Sequence, residues 1–309
     1  MNAHPAQPLA LETSGLGKRY GSTWALRDCN LVIPEGHVVA LVGPNGAGKT
    51  TLLHLAVGLV APTSGRVSVQ GGLGAGSVDA LSSVAFVAQD AALYPGLSIA
   101  DTIHLARNLN TGFDSGRARA RIAELDVPLV RKVGKLSGGQ RAQVALTLAL
   151  AKRPRFLVLD EPLSSLDPLA RHDFMAALMA AVAEDGISVL FSSHVIAELE
   201  RVCDYLVVLT GGRVQVAGEV DDLLETHRLY TGPAAQADLI AADLPVVRDR
   251  RAQAQAHLLV RTRGRGGNPS AGWEAHQVGL EELVLAYLRD PGASALPGPR
   301  ELTAKGAPS

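Results

Sequence analysis

Between an apolar run ending at Val42 and a helical pattern beginning at Lys49 lies "GPNGAGKT", Gly43 to Thr50. The octapeptide fits G-x-x-x-x-G-K-[ST] in full. Glycines at these positions let backbone N–H groups converge on phosphate oxygens without Cβ clashes, and the helix that follows adds its positive end. Lys49 is placed to reach the β- and γ-phosphates, and the Thr50 hydroxyl to sit on Mg2+. The preceding "VVALVG" is continuous, apolar and valine-rich, the pattern of a buried strand. The following "KTTLLHLAVGL" sets Leu52, Leu55, Ala56 and Leu59 on one helical face. A chain with this feature holds a nucleotide phosphate; what the energy is spent on has to be read elsewhere.

Length and composition narrow the setting. The 309 residues are enough for about two domains, and 47% apolar with 19% charged residues describes a globular chain. A net charge of −1 gives no argument for a nucleic-acid partner. No apolar run approaches the roughly 18 residues needed to span a bilayer. The start, "MNAHPAQPLALETSG", lacks a basic patch followed by an apolar stretch, so no signal peptide is expected. Cys29 and Cys203 are far apart, make no metal-ligand spacing, and read as small core residues.

Strand and helix patterns alternate along most of the chain. "GRVSVQG", "VAFVAQ", "RFLVLD" and "ISVLFSS" read as strands. "SIADTIHLARNL" and "SGRARARIAEL" read as helices, each opening at a serine that can cap orphan N–H groups. Ser137 opens a further helix that stops at Pro154, the Asp167-Pro168 pair opens another, and Val195 to Val202 reads as a short one. "DYLVVLTGGRVQVAG" reads as a hairpin around Thr210-Gly211-Gly212. The alternation implies a largely parallel sheet with helices on its faces. After about Glu225 the character changes. "PVVRDRRAQAQAHLLVRTRG" fits two strands, and "GLEELVLAYLR" an amphipathic helix with Leu280, Leu283, Val284, Tyr287 and Leu288 in its stripe. A glycine-rich "GRGGNPSAG" lies between them, and the Pro/Gly-rich end is expected to be disordered.

Two further stretches carry chemistry. In "FLVLDEP", Asp160 ends an apolar strand, where a carboxylate can hold a metal ion directly or through water. Glu161 follows it, and side chains alternate along a strand, so the two acids point differently and the second can serve as base for an attacking water. "LSGGQ", Leu136 to Gln140, is a serine cap with two glycines at a helix start, a second anion-binding helix end. A nucleotide already held by Gly43 to Thr50 does not need it. The economical reading is that it serves a γ-phosphate bound by another copy of the fold.

"GPNGAGKT", Gln89, "LSGGQ", "LVLDEP", "SSLD" (Ser164 to Asp167) and His194 occur in that order. In this order, over about Leu11 to Thr226, the chain resembles the ATP-binding subunit of an ABC transporter. The resemblance implies an α/β fold, a P-loop NTPase with a RecA-like core, an antiparallel β subdomain and a helical subdomain at about 90–136, followed by a small C-terminal α/β extension. The implied boundaries are a tail at 1–8, an ATPase domain at 9–226, an accessory region at 227–290 and a tail at 291–309. The implied cofactors are ATP and Mg2+. Gly43, Pro44, Asn45, Gly46, Ala47, Gly48, Lys49, Thr50 and Thr51 would hold the phosphates, and Tyr20 would stack on adenine. Thr50, Gln89 and Asp160 would serve the metal. Glu161 would be the general base, with Lys49, Gln89 and His194 assisting. Ser137, Gly138, Gly139, Gln140 and Asp167 would act across a dimer interface.

The same resemblance implies two partners, an integral membrane permease and a second ATPase protomer, identical or not. It places the chain at the cytoplasmic face of the cell membrane. Within the family the chain resembles bacterial exporter cassettes paired with ABC-2-like membrane subunits, and in particular the branch associated with GntR-type regulators and antibiotic or envelope stress. Export is therefore expected; an importer ATPase, and a soluble ATPase acting on nucleic acid or ribosomes, are the alternatives. Arg248, Arg250, Arg251, Arg261, Arg263 and Arg265 form a basic cluster, read as solvated strand faces, with a membrane-surface contact as the alternative.

Overall fold

The computed structural model describes residues 8–164, 166–193, 196–262 and 272–289. His194, Arg263, Arg265 and the two expected tails, apart from Pro8, lie outside the described residues. The chain forms two compact units. One contains described residues up to 39 together with 49–193, and the other contains 40–48 with those from 196 onward.

The first unit opens with β1 (Leu9–Tyr20) and β2 (Thr23–Pro34), an antiparallel hairpin. β3 (Val38–Val42) begins in this unit and ends in the other, and α1 (Lys49–Ala56) follows. The helix is shorter than its apolar stripe suggested. Gly58 takes φ +75° just beyond it, and Leu59 is left 60% exposed. β4 (Ser64–Val69) and β5 (Leu73–Gly74) complete an antiparallel sheet in the order β2-β1-β4-β5. α2 (Val78–Ser83) leads into β6 (Val84–Val87).

Three helices come next, α3 (Ile99–Leu109), α4 (Ser115–Glu124) and α5 (Gly138–Ala151). They share a core of Ile99, Ile103, Ala118, Ile122, Val133 and Val144. Ser98 caps α3 in a reciprocal capping box with Asp101. At α4 the expected serine cap is displaced by one residue, because Asp114 Oδ1 accepts from Arg117 N at 2.9 Å while Ser115 lies inside the helix. A carboxylate at a helix start satisfies the orphan N–H and complements the dipole better than a hydroxyl.

β7 (Phe156–Leu159), α6 (Pro168–Asp185) and β8 (Ser188–Ser193) close the unit. β6, β7 and β8 are parallel, with Val84, Phe156 and Ser188 in register. β7 and β8 are wholly buried, which is why they read as continuous apolar runs. The expected parallel character thus holds for this core, while the sheet built on β1 and β2 is antiparallel throughout.

In the second unit, α7 (Ile196–Leu199) is shorter than the helix expected from Val195 to Val202. β9 (Tyr205–Thr210) and β10 (Arg213–Glu219) form the expected hairpin, with Gly211 and Gly212 both at positive φ. After α8 (Val220–Thr226) come β11 (His227–Pro233), α9 (Ala237–Asp243), β12 (Val246–Ala252), β13 (Gln255–Arg261), β14 (Glu274–His276) and α10 (Leu280–Arg289). The sheet order is β12-β13-β11-β14, antiparallel throughout. Tyr230, Ala256, Leu258, Val260 and Trp273 pack against Ala237 and Ile240 of α9.

The arginine cluster is divided rather than uniformly solvated. Arg251 is bound by Asp249 and Asp238, each at 2.7 Å. Arg261 is only 3% exposed and donates to the Tyr287 hydroxyl at 2.6 Å. That hydroxyl also lies 2.8 Å from His227 Nε2, and His227 Nδ1 lies 2.6 Å from the Leu223 carbonyl. A carbonyl only accepts, so Nδ1 carries the proton and Nε2 accepts from Tyr287. Burial pushes the His227 pKa down to about 4, so at neutral pH the imidazole is uncharged and this pattern of bonds holds. The unfolded chain, with a histidine near 6.5, takes up this proton first. Stability from His227 is therefore complete above about pH 6.5 and is lost as pH falls toward 4, by on the order of 3 kcal/mol. Thermal melting between pH 7 and 4 is expected to show a steeper fall in Tm for the wild-type chain than for His227→Gln; parallel curves would contradict the assignment.

Candidate active site

The phosphate loop is shaped by close backbone contacts. Gly46 and Gly48 take φ +78° and +104°, which L side chains rarely adopt. Gly43 is buried, and a Cβ there would lie 2.3 Å from the Leu209 carbonyl oxygen of β9. Ala47 N donates to Pro44 O at 3.1 Å, and Gly212 N donates to Ala47 O at 3.1 Å. The glycine turn of the β9–β10 hairpin therefore holds the loop from outside, a role the sequence did not disclose. Pro44, Asn45 and Gly46 are exposed. The loop runs directly into α1, so Lys49, Thr50 and Thr51 are its first turn.

In the first unit Lys49 is buried, and its Nζ lies 3.3 Å from Glu161 Oε1. Asp160 and Glu161 follow β7. Because β7 and β8 are parallel and in register, Asp160 comes beside Ser192. Ser192 Oγ donates to Asp160 Oδ1 at 2.8 Å and accepts from Glu161 N at 2.8 Å. Glu161 has φ +43°, a left-handed conformation that costs a non-glycine residue on the order of 1 kcal/mol. Its carboxylate meets Lys49, while that of Asp160 meets Ser192. Ser192 is fully buried and was read only as part of a strand. Its signal was a pair of hydroxyls, Ser192 and Ser193, ending an otherwise apolar strand, where sites in parallel sheets gather.

The remaining candidates sit in separate places. Ser137 caps α5 reciprocally with Gln140, Ser137 Oγ accepting from Gln140 N at 3.1 Å. Ser137 and Gly138 are exposed. A Cβ on Gly139 would lie 3.0 Å from Ala170 Cβ of α6, so the second glycine lets two helices approach. Asp167 Oδ1 accepts from Ala170 N at 2.9 Å and caps α6 while staying exposed. Gln89 is exposed and shares a crevice of about 10 Å³ with Gly138, Arg141 and Pro162, room for about one water. Tyr20 is half exposed at the end of β1, with Lys18 Nζ 5.2 Å from its ring centre, so it is not a core aromatic. Cys29 and Cys203 are both buried, as expected, and burial pushes the Cys203 thiol up to about 12.

Thr50 and Asp160 offer hard oxygen donors. Among the described residues there is no cluster of three or more His, Cys, Asp or Glu residues arranged to hold an ion. One carboxylate and one hydroxyl suit Mg2+, which is usually bound by few protein ligands and by substrate phosphates.

A family model described as ABC transporter matches residues 26–164. An Fe(3+) ions import ATP-binding protein, FbpC, of Pseudomonas fluorescens is 37% identical over 82% of this chain and 77% of its own length. The Nod factor export ATP-binding protein I of Cupriavidus pinatubonensis is 34% identical over 72% of this chain and 70% of its own. Among solved structures, a bacterial ABC transporter cassette in dimeric form superposes with TM-score 0.61 and 27% identity, covering 68% of this chain and 98% of that one.

The glycine contacts predict graded damage. Gly43→Ala meets backbone and is expected to lower stability by about 1–3 kcal/mol and to weaken nucleotide binding. Gly139→Ala meets only a methyl group and is expected to cost less and leave nucleotide affinity of the isolated chain unchanged. Melting curves with and without nucleotide check both; equal effects would contradict the contacts.

Proposed function

The chain belongs to the family of ABC transporter ATP-binding subunits, and from that premise we propose that its loop, Gly43 to Thr50, binds MgATP and that hydrolysis there drives a separate membrane permease. The observation that carries the reading is the Ser192 bridge, which separates Asp160 from Glu161 and turns Glu161 toward Lys49. Lys49 binds the β- and γ-phosphates, and phosphate oxygens compete with Glu161 for its ammonium. Glu161, released from that pair, accepts a proton from the attacking water. Thr50 and Asp160 would hold Mg2+, which when bound would neutralise charge on the phosphate oxygens. Gln89 and His194 assist the water, and Tyr20 stacks on adenine, by the order of motifs.

The exposed serine-capped start of α5 is read as the anion site for a γ-phosphate held by a second copy. The cassette solved as a dimer supports this arrangement. ATP then favours the closed pair of subunits over the open one, and that difference in affinity is what moves the permease. Among the described residues no helix is long and apolar enough to cross a membrane. By the family resemblance the permease is a separate chain, and this chain docks on its cytoplasmic face.

Export is the direction taken from the sequence resemblance, and the Nod factor export relative supports it. Import is the second reading, favoured by the iron-import relative. Stimulation of the assembled transporter's ATPase by a solute-binding protein would establish import and overturn export.

Glu161→Gln is expected to bind ATP with near wild-type affinity, to lower phosphate release by about 10²–10⁴-fold, and to elute as an ATP-dependent dimer. Wild-type hydrolysis by this variant would contradict the base assignment.

A further inference from the structure

The accessory sheet of the second unit has two unlike faces. One is sealed by α9 over Tyr230, Leu258 and Val260. On the other, a cavity of about 280 Å³ is lined by Leu229, Arg248, Arg250, His257, Leu259 and Glu282. The strand register explains the grouping: Arg248 pairs with Leu259, Arg250 with His257, and Leu229 with Leu259, so these side chains project to the same side.

The charges on the two faces are treated differently. Arg251, on the sealed side of β12, is held by Asp238 and Asp249. Neither Arg248 nor Arg250 has an ion-pair partner among the described residues. His257 lines the same space, with its ring oriented by Nδ1, 3.1 Å from Thr231 Oγ1. Two guanidinium groups two residues apart on one strand, with an oriented imidazole beside them, match the forked acceptors of a carboxylate or phosphate. Leu229 and Leu259 supply an apolar floor. Glu282 is the one carboxylate in the lining, and it suits a hydrogen-bond donor on the ligand rather than a second anionic group. The volume lies just under the roughly 300–1,000 Å³ of small-molecule sites.

We propose that this cavity binds a small organic anion, with its carboxylate or phosphate head taken by Arg248 and Arg250 and its compact apolar body resting on Leu229 and Leu259. The site is separate from the phosphate loop and does not depend on the function proposed above.

The test uses the full chain carrying Lys49→Ala, which disables the phosphate loop, titrated calorimetrically and by thermal melting at constant ionic strength. The probes are benzoate, phenyl phosphate, inorganic phosphate, neutral benzyl alcohol, and phosphatidylserine vesicles. Saturable binding of benzoate or phenyl phosphate is expected, with a rise in Tm, and none of benzyl alcohol. The response to benzoate against phenyl phosphate tells which head is taken. Arg248→Gln and Arg250→Gln are each expected to weaken binding about 10- to 100-fold. Arg248→Lys with Arg250→Lys keeps the charge and the fold but loses the fork, and is expected to fall between. No saturable binding of either aromatic anion, binding equal to that of benzyl alcohol, or binding unaltered by the arginine changes would overturn the proposal. Binding of inorganic phosphate as tight as phenyl phosphate would overturn the apolar floor, and binding of vesicles alone would replace the pocket with a membrane-facing surface.

Discussion

One buried hydroxyl organises the chemistry of this chain. Ser192 Oγ donates a hydrogen bond to Asp160 Oδ1 and accepts one from the Glu161 amide, so one small group touches two consecutive acids. The bond helps to offset the strain of a left-handed glutamate after an apolar strand. With it, Asp160 stays in line with the parallel strands while Glu161 turns out of line and reaches Lys49. Two carboxylates one residue apart thereby acquire different surroundings, the condition for one to hold a cation while the other handles a proton. The bond exists because β7 and β8 run parallel and in register, which is a property of the buried apolar runs that form them.

That dependence explains what was legible in the amino-acid order. β3, β7 and β8 are continuous apolar runs, so burial on both faces could be read from them directly. The phosphate loop, the Ser137 and Asp167 caps and the β9–β10 turn are local chemistry, complete within a few residues, and they were equally plain. β1 and β2 were not read strand by strand. Their alternation is broken by register shifts near Gly15 and Lys18, and the second partner of β1 is β4, far along the chain. β11 and α9 were missed for a similar reason: their apolar positions gain meaning only around Trp273, which reaches back from beyond β13. Ser192 looked like any polar residue at a strand end, and only its neighbour in the adjacent strand gives it a role.

The second unit shows the opposite limit of pattern reading. Tyr287 belongs to the apolar stripe of α10, as periodicity suggests, yet its hydroxyl ties together Arg261 and a neutral His227. Arg261 stands in a run of arginines that composition alone assigns to solvent, and it is buried because a phenol and the sheet end receive it. Arg248, Arg250 and Arg251 share that run, yet Arg248 and Arg250 line a cavity on one face of β12 while Arg251 is held by carboxylates on the other. Charge counts cannot separate such neighbours; strand alternation and the position of carboxylates on adjoining elements can.

The most direct test of this account removes the one hydroxyl. In Ser192→Ala the fold and the loop glycines are untouched, while Glu161 N loses its acceptor and Asp160 its donor. The account predicts a folded chain that still binds MgATP within a few-fold of wild type but hydrolyses it about 10–100-fold more slowly under saturation, in line with the loss of one charge-assisted and one neutral hydrogen bond. Full turnover by Ser192→Ala would show that the acids hold their places without the bridge, and the account would be wrong at its centre.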